Sequence, residues 1–414
     1  MMQGVEQMGT TFSIASNGRV NMDFRGKIEG KSANGNPVVI QDVIMDPELR
    51  LSFDSVTAEL HGTPKNAGEF DLTVTYRLEP PQAGIPGLTG VCRLIVNPDP
   101  KTLWKNLESD QSDVFWKENQ ATAALVGGDG FSMIAASKRG RSHAHVGSFR
   151  DDDFCLVQDE ASGWRIITVA DGAGSAKKSR RGSQIAARIA TEKVLQTLKA
   201  EGGETLGASI AEFENNRADI TKELYYLFGY AAQEAVLAIE NEAKTTGALF
   251  KDFSTTLIVM IHKKIDAGHF IAAYWVGDGG VGVYRQGREV KILGRADSGE
   301  FAGQTRFLDA AMLDSQEIMN RIKVTVVPDF TAIVAMTDGI TDPWFETDAN
   351  LENCDKWEEL WKELLPVTES AKPDSELLEW LDFWSPGNHD DRTIAILYPV
   401  SVVSGTTEKP EMAQ

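Results

Sequence analysis

Five short acidic motifs lie in the later part of this 414-residue chain, and each adjoins an apolar run that we predict to be a β-strand. A single Asp-Gly pair is usually a turn. Several buried carboxylates that meet at one edge of a sheet are costly unless cations neutralise them. The motifs are FRDDDF (Asp151 to Asp153), VADGAG (Asp171), WVGDGG (Asp278), AMTDGITD (Asp338 and Asp342) and NHDDRT (Asp390 and Asp391).

The candidate ligands in these motifs are carboxylate oxygens, and no cluster of Cys or His with metal-ligand spacing accompanies them in the sequence. Such a set favours a hard ion, Mg²⁺ or Mn²⁺, over zinc. The sequence also contains no G-x-x-x-x-G-K-[ST] loop, which argues against a P-loop NTPase. The motifs therefore predict a metal site at the edge of a sheet.

The order of the predicted elements indicates a layered α+β domain. After the strand that ends at Asp171, residues 183–200 carry an apolar stripe at helical spacing, and residues 218–243 form a longer helical pattern. Closely spaced strands follow. A strand, two helices and then a run of strands are typical of an α+β architecture rather than of alternating βαβ units. The apolar stripe consists of Ile185, Ile189, Val194, Leu195 and Leu198.

The first hundred or so residues are predicted to be strands and turns. Phe70, Leu72, Val74 and Tyr76 alternate with polar residues, as in a strand buried on one face. HGTPKNAGEFDLTVTY resembles the closing hairpin of bacterial immunoglobulin-like domains. We therefore predict an immunoglobulin-like β-sandwich at residues 1–98, a linker at 99–130, a second domain at 131–400 and a tail at 401–414.

The amino-acid composition disfavours several classes of binding partner. The chain has 61 acidic and 41 basic residues and a formal charge of -20, which disfavours binding to nucleic acid or to an anionic membrane. Its three cysteines, Cys92, Cys155 and Cys354, are far apart and form neither a disulfide framework nor a zinc pattern. The first residues show no signal pattern, and the apolar run FIAAYWVG is too short to span a bilayer. We therefore predict a cytoplasmic protein.

Taken in order, the motifs resemble those of the metal-dependent PPM-type (protein phosphatase 2C-like) serine/threonine phosphatases over residues 134–399. SKRGRSHAHVGSFRDDDF resembles the opening of a bacterial branch, in which Gly-x-Ser-His precedes the first aspartates. VADGAGSAKKSRRGSQIAA is similar to the Asp-Gly-x-Gly segment, and STTLIVMI with AAYWVGDGGVGVY resembles the segment that ends in Gly-Asp. AMTDGITD matches Asp-Gly-x-x-Asp, and HDDRTIAIL stands where the family has Asp-Asn-x-Thr. The resemblance implies an α-β-β-α sandwich.

The resemblance also implies two bridged metal ions, Mn²⁺ or Mg²⁺. Matched position by position, their ligands are Asp171, the carbonyl of Gly172, Asp338 and Asp390. Two divalent ions can activate a bridging water and hold the phosphoryl oxygens for in-line attack, so no Ser or Cys nucleophile is needed. The aspartates of this set, together with Asp153, are the predicted catalytic residues.

Further ligands are implied outside that set. Asp152 and Asp153 match the first and second members of the opening acidic pair, and both are predicted metal ligands. Asp278 and Asp342 match the positions that, with Asp338, hold a third and weaker ion in many family members.

Two departures from the family pattern concern phosphate binding and proton donation. Ala173 stands where many members have His, and Ser148 aligns with a phosphate-binding Arg. Arg150, two residues further on, is the predicted phosphate-binding residue, and the basic run Lys177–Arg181 is a second candidate. The run equally fits a solvated helix start. His143, His145 and His389 lie near the motifs and fit structural as well as catalytic roles.

Residues 343–386 form an acidic insertion that carries five of the nine tryptophans, and DKWEELWKELL within it is helical in pattern. Because Trp usually buries most of its area, helices packed over the sheet are favoured over an interaction surface.

These observations predict a bacterial, cytoplasmic protein phosphatase that acts on phosphoserine and phosphothreonine proteins, with a cognate kinase as a further partner. The N-terminal domain would serve recognition or tethering. Because every proposed ligand follows residue 125, a chain that starts there is predicted to fold and act on small phosphate esters. The alternative is a catalytically weak or inactive relative that binds phosphoprotein or a kinase. A β-sandwich adhesin or scaffold fits only the first hundred or so residues.

Overall fold

The computed structural model describes residues 9–80, 87–294 and 305–400. The chain divides into two compact units, residues 1–105 and 106–414. Among the described residues, no helix has the length and apolar character that a membrane crossing requires. The predicted tail at 401–414 lies outside the described residues.

The N-terminal unit is all-β, as predicted. Its described strands form two four-stranded sheets, with the orders β1-β3-β6-β5 and β2-β8-β7-β4. Along β7, Leu72, Val74 and Tyr76 are buried while the residues between them are more exposed, which confirms the predicted alternation. The strands are β1 (Thr10–Ile14), β2 (Gly18–Arg19), β3 (Phe24–Ser32), β4 (Val38–Ile44), β5 (Leu51–Asp54), β6 (Glu59–Gly62), β7 (Gly68–Leu78) and β8 (Leu88–Asn97).

The C-terminal unit contains two antiparallel sheets. One has six strands in the order β16-β15-β18-β19-β10-β9, and the other has five in the order β11-β12-β13-β14-β17. The strands are β9 (Gln120–Val126), β10 (Phe131–Lys138), β11 (Asp153–Asp159), β12 (Trp164–Ala170), β13 (Leu257–Ile265), β14 (Gly268–Val276), β15 (Gly280–Arg285), β16 (Glu289–Gly294), β17 (Ile322–Val327), β18 (Ala332–Met336) and β19 (Arg392–Pro399).

Helices cover both sheets of this unit. They are α1 (Arg141–Val146), α2 (Ser179–Lys199), α3 (Glu201–Ala211), α4 (Arg217–Thr246), α5 (Ser315–Asn320), α6 (Asp338–Phe345), α7 (Cys354–Thr368) and α8 (Pro373–Trp380). Residues of α2, α3 and α4 share a core with the five-stranded sheet. Residues of α6, α7 and α8 share another with the six-stranded sheet.

A third core lies between the two sheets and includes Met133, Ile167, Met260, Ile333 and Leu397. The unit is therefore an α-β-β-α sandwich, which confirms the predicted fold class. Strands buried on both faces read as continuous apolar runs, and this explains why their positions are visible in the sequence.

The predicted linker at 99–130 differs from the structure. Residues Gln120–Val126 within it form β9, which pairs antiparallel with β10 at the edge of the six-stranded sheet. Its inward positions, Ala121, Ala123 and Leu125, are only partly buried. Small side chains on an exposed edge strand give a weak apolar alternation, so the sequence pattern does not reveal this strand.

The Trp-rich insertion packs on the six-stranded sheet. Trp357 and Trp361 of α7 are buried together with Leu360 and Leu364. The indole nitrogen of Trp357 donates a hydrogen bond to the carbonyl of Leu351 at 2.8 Å. The structure therefore agrees with the interpretation that these helices cover the sheet.

Candidate metal centre

The acidic motifs converge at one end of the two sheets of the C-terminal unit. Asp171 directly follows β12, Asp278 lies between β14 and β15, and Asp338 begins α6 two residues after β18 ends. Carboxylate oxygens of these three residues lie within 4.8 Å of one another. Asp390 stands just before β19, and its negative charge acts on both Asp171 and Asp338.

Mutual repulsion and burial make this group of carboxyls hard to ionise. Burial, and then the charges of Asp152 and Asp338, hold the pKa of Asp171 well above its usual range. Burial, and then Asp278, raise the pKa of Asp338 to about 7. Burial also raises the pKa of Asp390 and of Asp342. A divalent cation would remove this penalty by neutralising the charges.

Two oxygens in the group show that the arrangement fits a cation. Asp152 Oδ1 and Asp338 Oδ1 are buried and accept no hydrogen bond within the described part of the chain. The other oxygen of Asp152 accepts a hydrogen bond from Thr337 Oγ1 at 2.8 Å, which fixes the carboxylate. Buried acceptors without donors are costly, and hard divalent ions prefer carboxylate oxygens.

The sequence Ser254-Thr255-Thr256 holds the Asp171 loop in place. The backbone NH of Asp171 donates to Thr256 Oγ1 at 2.8 Å, and Thr255 Oγ1 donates to the carbonyl of Asp171 at 2.9 Å. The backbone NH of Ala173 donates to the carbonyl of Ser254 at 3.0 Å. The sequence pattern of this segment gives the three residues no role, and the structure shows that they hold the backbone of the Asp171 loop.

Gly172, the predicted carbonyl ligand, sits where only glycine fits. A Cβ at this position would lie 2.6 Å from the carbonyl oxygen of Asp151 and 2.9 Å from Ser179. The glycine therefore allows the Asp171 loop to lie against the opening acidic motif.

Within the opening acidic pair, the structure separates the two residues. The side chain of Asp152 interacts with Asp338 and Asp171, whereas Asp153 Oδ2 pairs with Lys117 Nζ at 3.0 Å. Successive side chains of an extended segment point to opposite faces, so only one of the two can face the cluster. The structure therefore places Asp152 in the group and turns Asp153 toward Lys117, an arrangement that favours Asp152 over Asp153 as a metal ligand.

Lys117, which no sequence motif singles out, also contacts the opening acidic motif. Its side chain is only 9% exposed, and Nζ donates to the carbonyl of Asp152 at 2.7 Å and to that of Arg180 at 3.3 Å. Burial, and then the charge of Arg150, lower its pKa to about 8. The residue lies outside all the acidic motifs, and no local pattern marks it.

Arg150, the predicted phosphate-binding residue, is turned inward and is only 3% exposed. Its Nη1 donates to Ser137 Oγ at 2.7 Å and to the carbonyl of Asp152 at 2.6 Å, and its Nε donates to the carbonyl of Glu118 at 3.1 Å. A buried guanidinium that braces the backbone has little surface to offer a phosphate. These contacts favour a positioning role for Arg150 over the predicted phosphate-binding role.

His143 of α1 pairs with Asp391, which stands at the position of the family's Asn. Its Nδ1 lies 3.0 Å from Asp391 Oδ1. Burial lowers the pKa of His143, but Asp391 and Asp151 outweigh this effect and raise it to about 10. Asp391 also accepts hydrogen bonds from the backbone NH groups of Gly140 and Asp151. The pair ties α1 to the loop that carries Asp390.

The basic run after Asp171 is mostly structural. Arg180 pairs with Asp113 at 2.7 Å, and Arg181 pairs with Glu242 at 3.1 Å. Lys178 lies over the rings of Phe115 and Phe253, and Lys177 is the only exposed member among the four cations. The candidate role of the whole run in phosphate binding is therefore confined to Lys177.

The solved structures that match the chain share little sequence with it. A serine-threonine phosphatase 2C from Toxoplasma gondii has 14% identity and a TM-score of 0.45, with 67% of this chain and 99% of that chain covered. The catalytic domain of the serine threonine protein phosphatase PstP, solved with two manganese ions, has 17% identity and a TM-score of 0.40 (68% and 99% covered). RsbX, solved with magnesium, has 12% identity and a TM-score of 0.38 (67% and 100% covered).

Comparison of the sequence with models of protein families identifies the family of this chain. No curated protein shows significant similarity to the chain. The family model described as Protein phosphatase 2C matches residues 139–382, which is more than half of the chain. This match includes the acidic motifs from Asp151 to Asp342. The chain therefore belongs to the protein phosphatase 2C family.

Proposed function

We propose that this chain is a metal-dependent phosphatase that hydrolyses phosphoserine and phosphothreonine in proteins. The observation that carries the proposal is the partly buried group of carboxyls at the ends of the two sheets, with two buried acceptor oxygens that no described donor satisfies. Family membership supports the same class of reaction.

The residues present fit two Mn²⁺ or Mg²⁺ ions. Asp152, Asp171, Asp338 and Asp390, with the carbonyl of Gly172, would hold them, and Asp278 and Asp342 would join Asp338 around a third. When bound, such ions supply an activated water and positive charge for the phosphoryl oxygens. Structures of PstP and RsbX, which have the same type of fold, were solved with manganese and magnesium.

The chain's own residues orient these ligands. Thr337 fixes the carboxylate of Asp152, and Thr255 and Thr256 fix the backbone of Asp171. A site whose ligands are held before substrate arrives loses little free energy to reorganisation, and this is how fixed charges accelerate phosphoryl transfer.

Further parts of the proposal concern the rest of the chain. We propose that the immunoglobulin-like sandwich at residues 1–98 recognises or tethers substrates, and that a cognate serine/threonine kinase is a partner. The absence of a disulfide or zinc pattern among the three cysteines supports a cytoplasmic location.

The test is hydrolysis of an aryl phosphate and of a phosphoserine peptide by the purified full-length chain, with and without Mn²⁺. We expect turnover that depends on Mn²⁺ and is lost in Asp338→Asn. Asp266→Asn, at an exposed turn between β13 and β14, is the matched control and should keep full activity. A folded wild-type chain that binds Mn²⁺ but turns over neither substrate would instead favour the inactive, phosphoprotein-binding alternative.

A further inference from the structure

A groove of about 390 Å³ lies beside the metal centre. One wall comes from the segment between α4 and β13, and the other from the segment before α5. The lining of these walls includes Phe250, Lys251, Ser254, Arg306, Phe307 and Leu308. We name it the flanking groove.

Hydrogen bonds connect both walls of the flanking groove to the loops of the metal centre. The hydroxyl of Thr305 donates to Asp278 Oδ2. On the other wall, the carbonyl of Ser254 accepts from the backbone NH of Ala173 at 3.0 Å. The backbone NH of Leu308 donates to the carbonyl of Thr255 at 2.8 Å, which joins the two walls. A chain bound at the metal centre could therefore continue into the groove.

The groove carries two cations that the described structure leaves without a salt bridge. Lys251 is exposed and Arg306 is partly exposed, and neither side chain forms an ion pair or hydrogen bond with any described residue. The one carboxylate in the lining, Asp309, accepts from the backbone NH groups of Ala311 and Met312. With two cations and one carboxylate, the lining carries a local positive charge in a protein whose formal charge is -20.

The lining also has an apolar part, which includes Phe250, Phe307 and the buried Leu308. A peptide can contact both parts of the lining. Its backbone and apolar side chains cover the apolar part, and one anionic group binds the two cations. An Arg fork binds a carboxylate or a phosphate through two parallel hydrogen bonds.

We propose that the flanking groove binds the substrate segment next to the phosphorylated residue and selects segments that carry an anionic group. Lys251 and Arg306 bind that group, which is either an Asp or Glu carboxylate or a second phosphate. This inference rests on the proposed phosphatase function and specifies its substrate class.

The test compares peptides that differ at one position near the phosphoserine, where they carry Ala, Asp, Lys or a second phosphoserine. With the full-length chain and Mn²⁺, kcat/KM for the Asp and doubly phosphorylated peptides should exceed that for the Ala peptide on the order of tenfold, through KM. Arg306→Ala should abolish this ratio, and Arg306→Glu should favour the Lys peptide. A preference for the doubly phosphorylated peptide alone would identify phosphate as the ligand.

The control is Lys222→Ala, an exposed lysine on α4 outside the groove, which should keep the wild-type ratio. The inference is wrong if the wild type hydrolyses all four peptides with equal kcat/KM, or if Arg306→Glu keeps the preference for Asp. Absence of aryl phosphate hydrolysis by the wild type would instead refute the proposed function itself.

Discussion

Lys117 holds the opening acidic motif against α2, and its removal should be costly. Replacement by Met keeps the length and the apolar part of the side chain but removes the ammonium group. That group pairs with Asp153 at 3.0 Å and donates to the carbonyls of Asp152 and Arg180 at 2.7 and 3.3 Å. The substitution therefore leaves the Asp153 carboxylate without its cation. The two carbonyl oxygens lose one donor each, but the carbonyl of Asp152 keeps Arg150 Nη1 at 2.6 Å and that of Arg180 keeps Ser183 Oγ at 3.2 Å.

The expected loss follows from these three contacts. Removing one partner of a buried ion pair costs about 3–5 kcal/mol. The two carbonyl oxygens add little to this cost, because each keeps another donor. Asp153 keeps some solvent contact, since its side chain is 17% exposed, and this lowers the first contribution. We therefore expect Lys117→Met to reduce the free energy of unfolding by about 3 kcal/mol, at the lower end of this range.

The assay is urea unfolding of the full-length chain, read as a shift of the midpoint at constant slope. Lys199→Met is the matched control, because Lys199 pairs with Asp159 at the same 3.0 Å but is 52% exposed. That variant should lose less than about 1 kcal/mol. Adding Asp153→Asn to Lys117→Met should recover part of the loss, because the carboxylate is then no longer left uncompensated. Equal stabilities of Lys117→Met and Lys199→Met would refute this account of the acidic loop.

Three further predictions concern the boundaries, the packing and the pH dependence of the catalytic unit. A chain that starts at residue 106 should fold and hydrolyse aryl phosphates. A chain that starts at residue 125 lacks Lys117 and most of β9, so its circular dichroism spectrum should be that of an unfolded protein. A folded, active chain from residue 125 would contradict this. Gly339→Ala places a Cβ 1.8 Å from the carbonyl oxygen of Asp391 and should sharply lower the melting temperature, whereas Gly128→Ala, with open space, should not; similar melting temperatures would argue against the packing described. The pKa of Asp338 is raised to about 7 and that of His143 to about 10. Between about pH 6 and 8 the folded protein therefore binds more protons than the unfolded chain. The stability of the metal-free protein should then fall as the pH rises. Stabilisation by Mn²⁺ should grow over the same range, and calorimetric scans that show the opposite slopes would contradict the electrostatics.

Much of the site could be predicted from the sequence because its ligands stand at strand ends. Buried strands such as β12 and β18 are continuous apolar runs, and an Asp one or two residues after them is a conspicuous break in the pattern. The same signal located Asp171, Asp278 and Asp338, which the structure brings within 4.8 Å. Convergence of motifs that are distant along the chain followed from the order of strands typical of the family.

The structure departs from the expected arrangement where a one-residue difference reverses the direction of a side chain. Asp152 and Asp153 are adjacent, and the choice between them depends on the register of the extended segment before β11, which composition does not fix. Arg150 is likewise polar and close to the ligands, but its direction depends on the acceptors Ser137 and Glu118 from other segments. Lys117 lies outside the acidic motifs in the sequence, and only the tertiary fold brings it into contact with Asp152 and Asp153.

The most direct test of the central claim is calorimetric titration of the metal-free, full-length chain with Mn²⁺. The account predicts that two ions bind per chain, that a third binds more weakly, and that Asp171→Asn or Asp338→Asn loses binding while keeping the wild-type circular dichroism spectrum. Asp266→Asn should bind as the wild type does. Absence of Mn²⁺ and Mg²⁺ binding to the folded wild type, or unchanged binding by Asp171→Asn and Asp338→Asn, would contradict it.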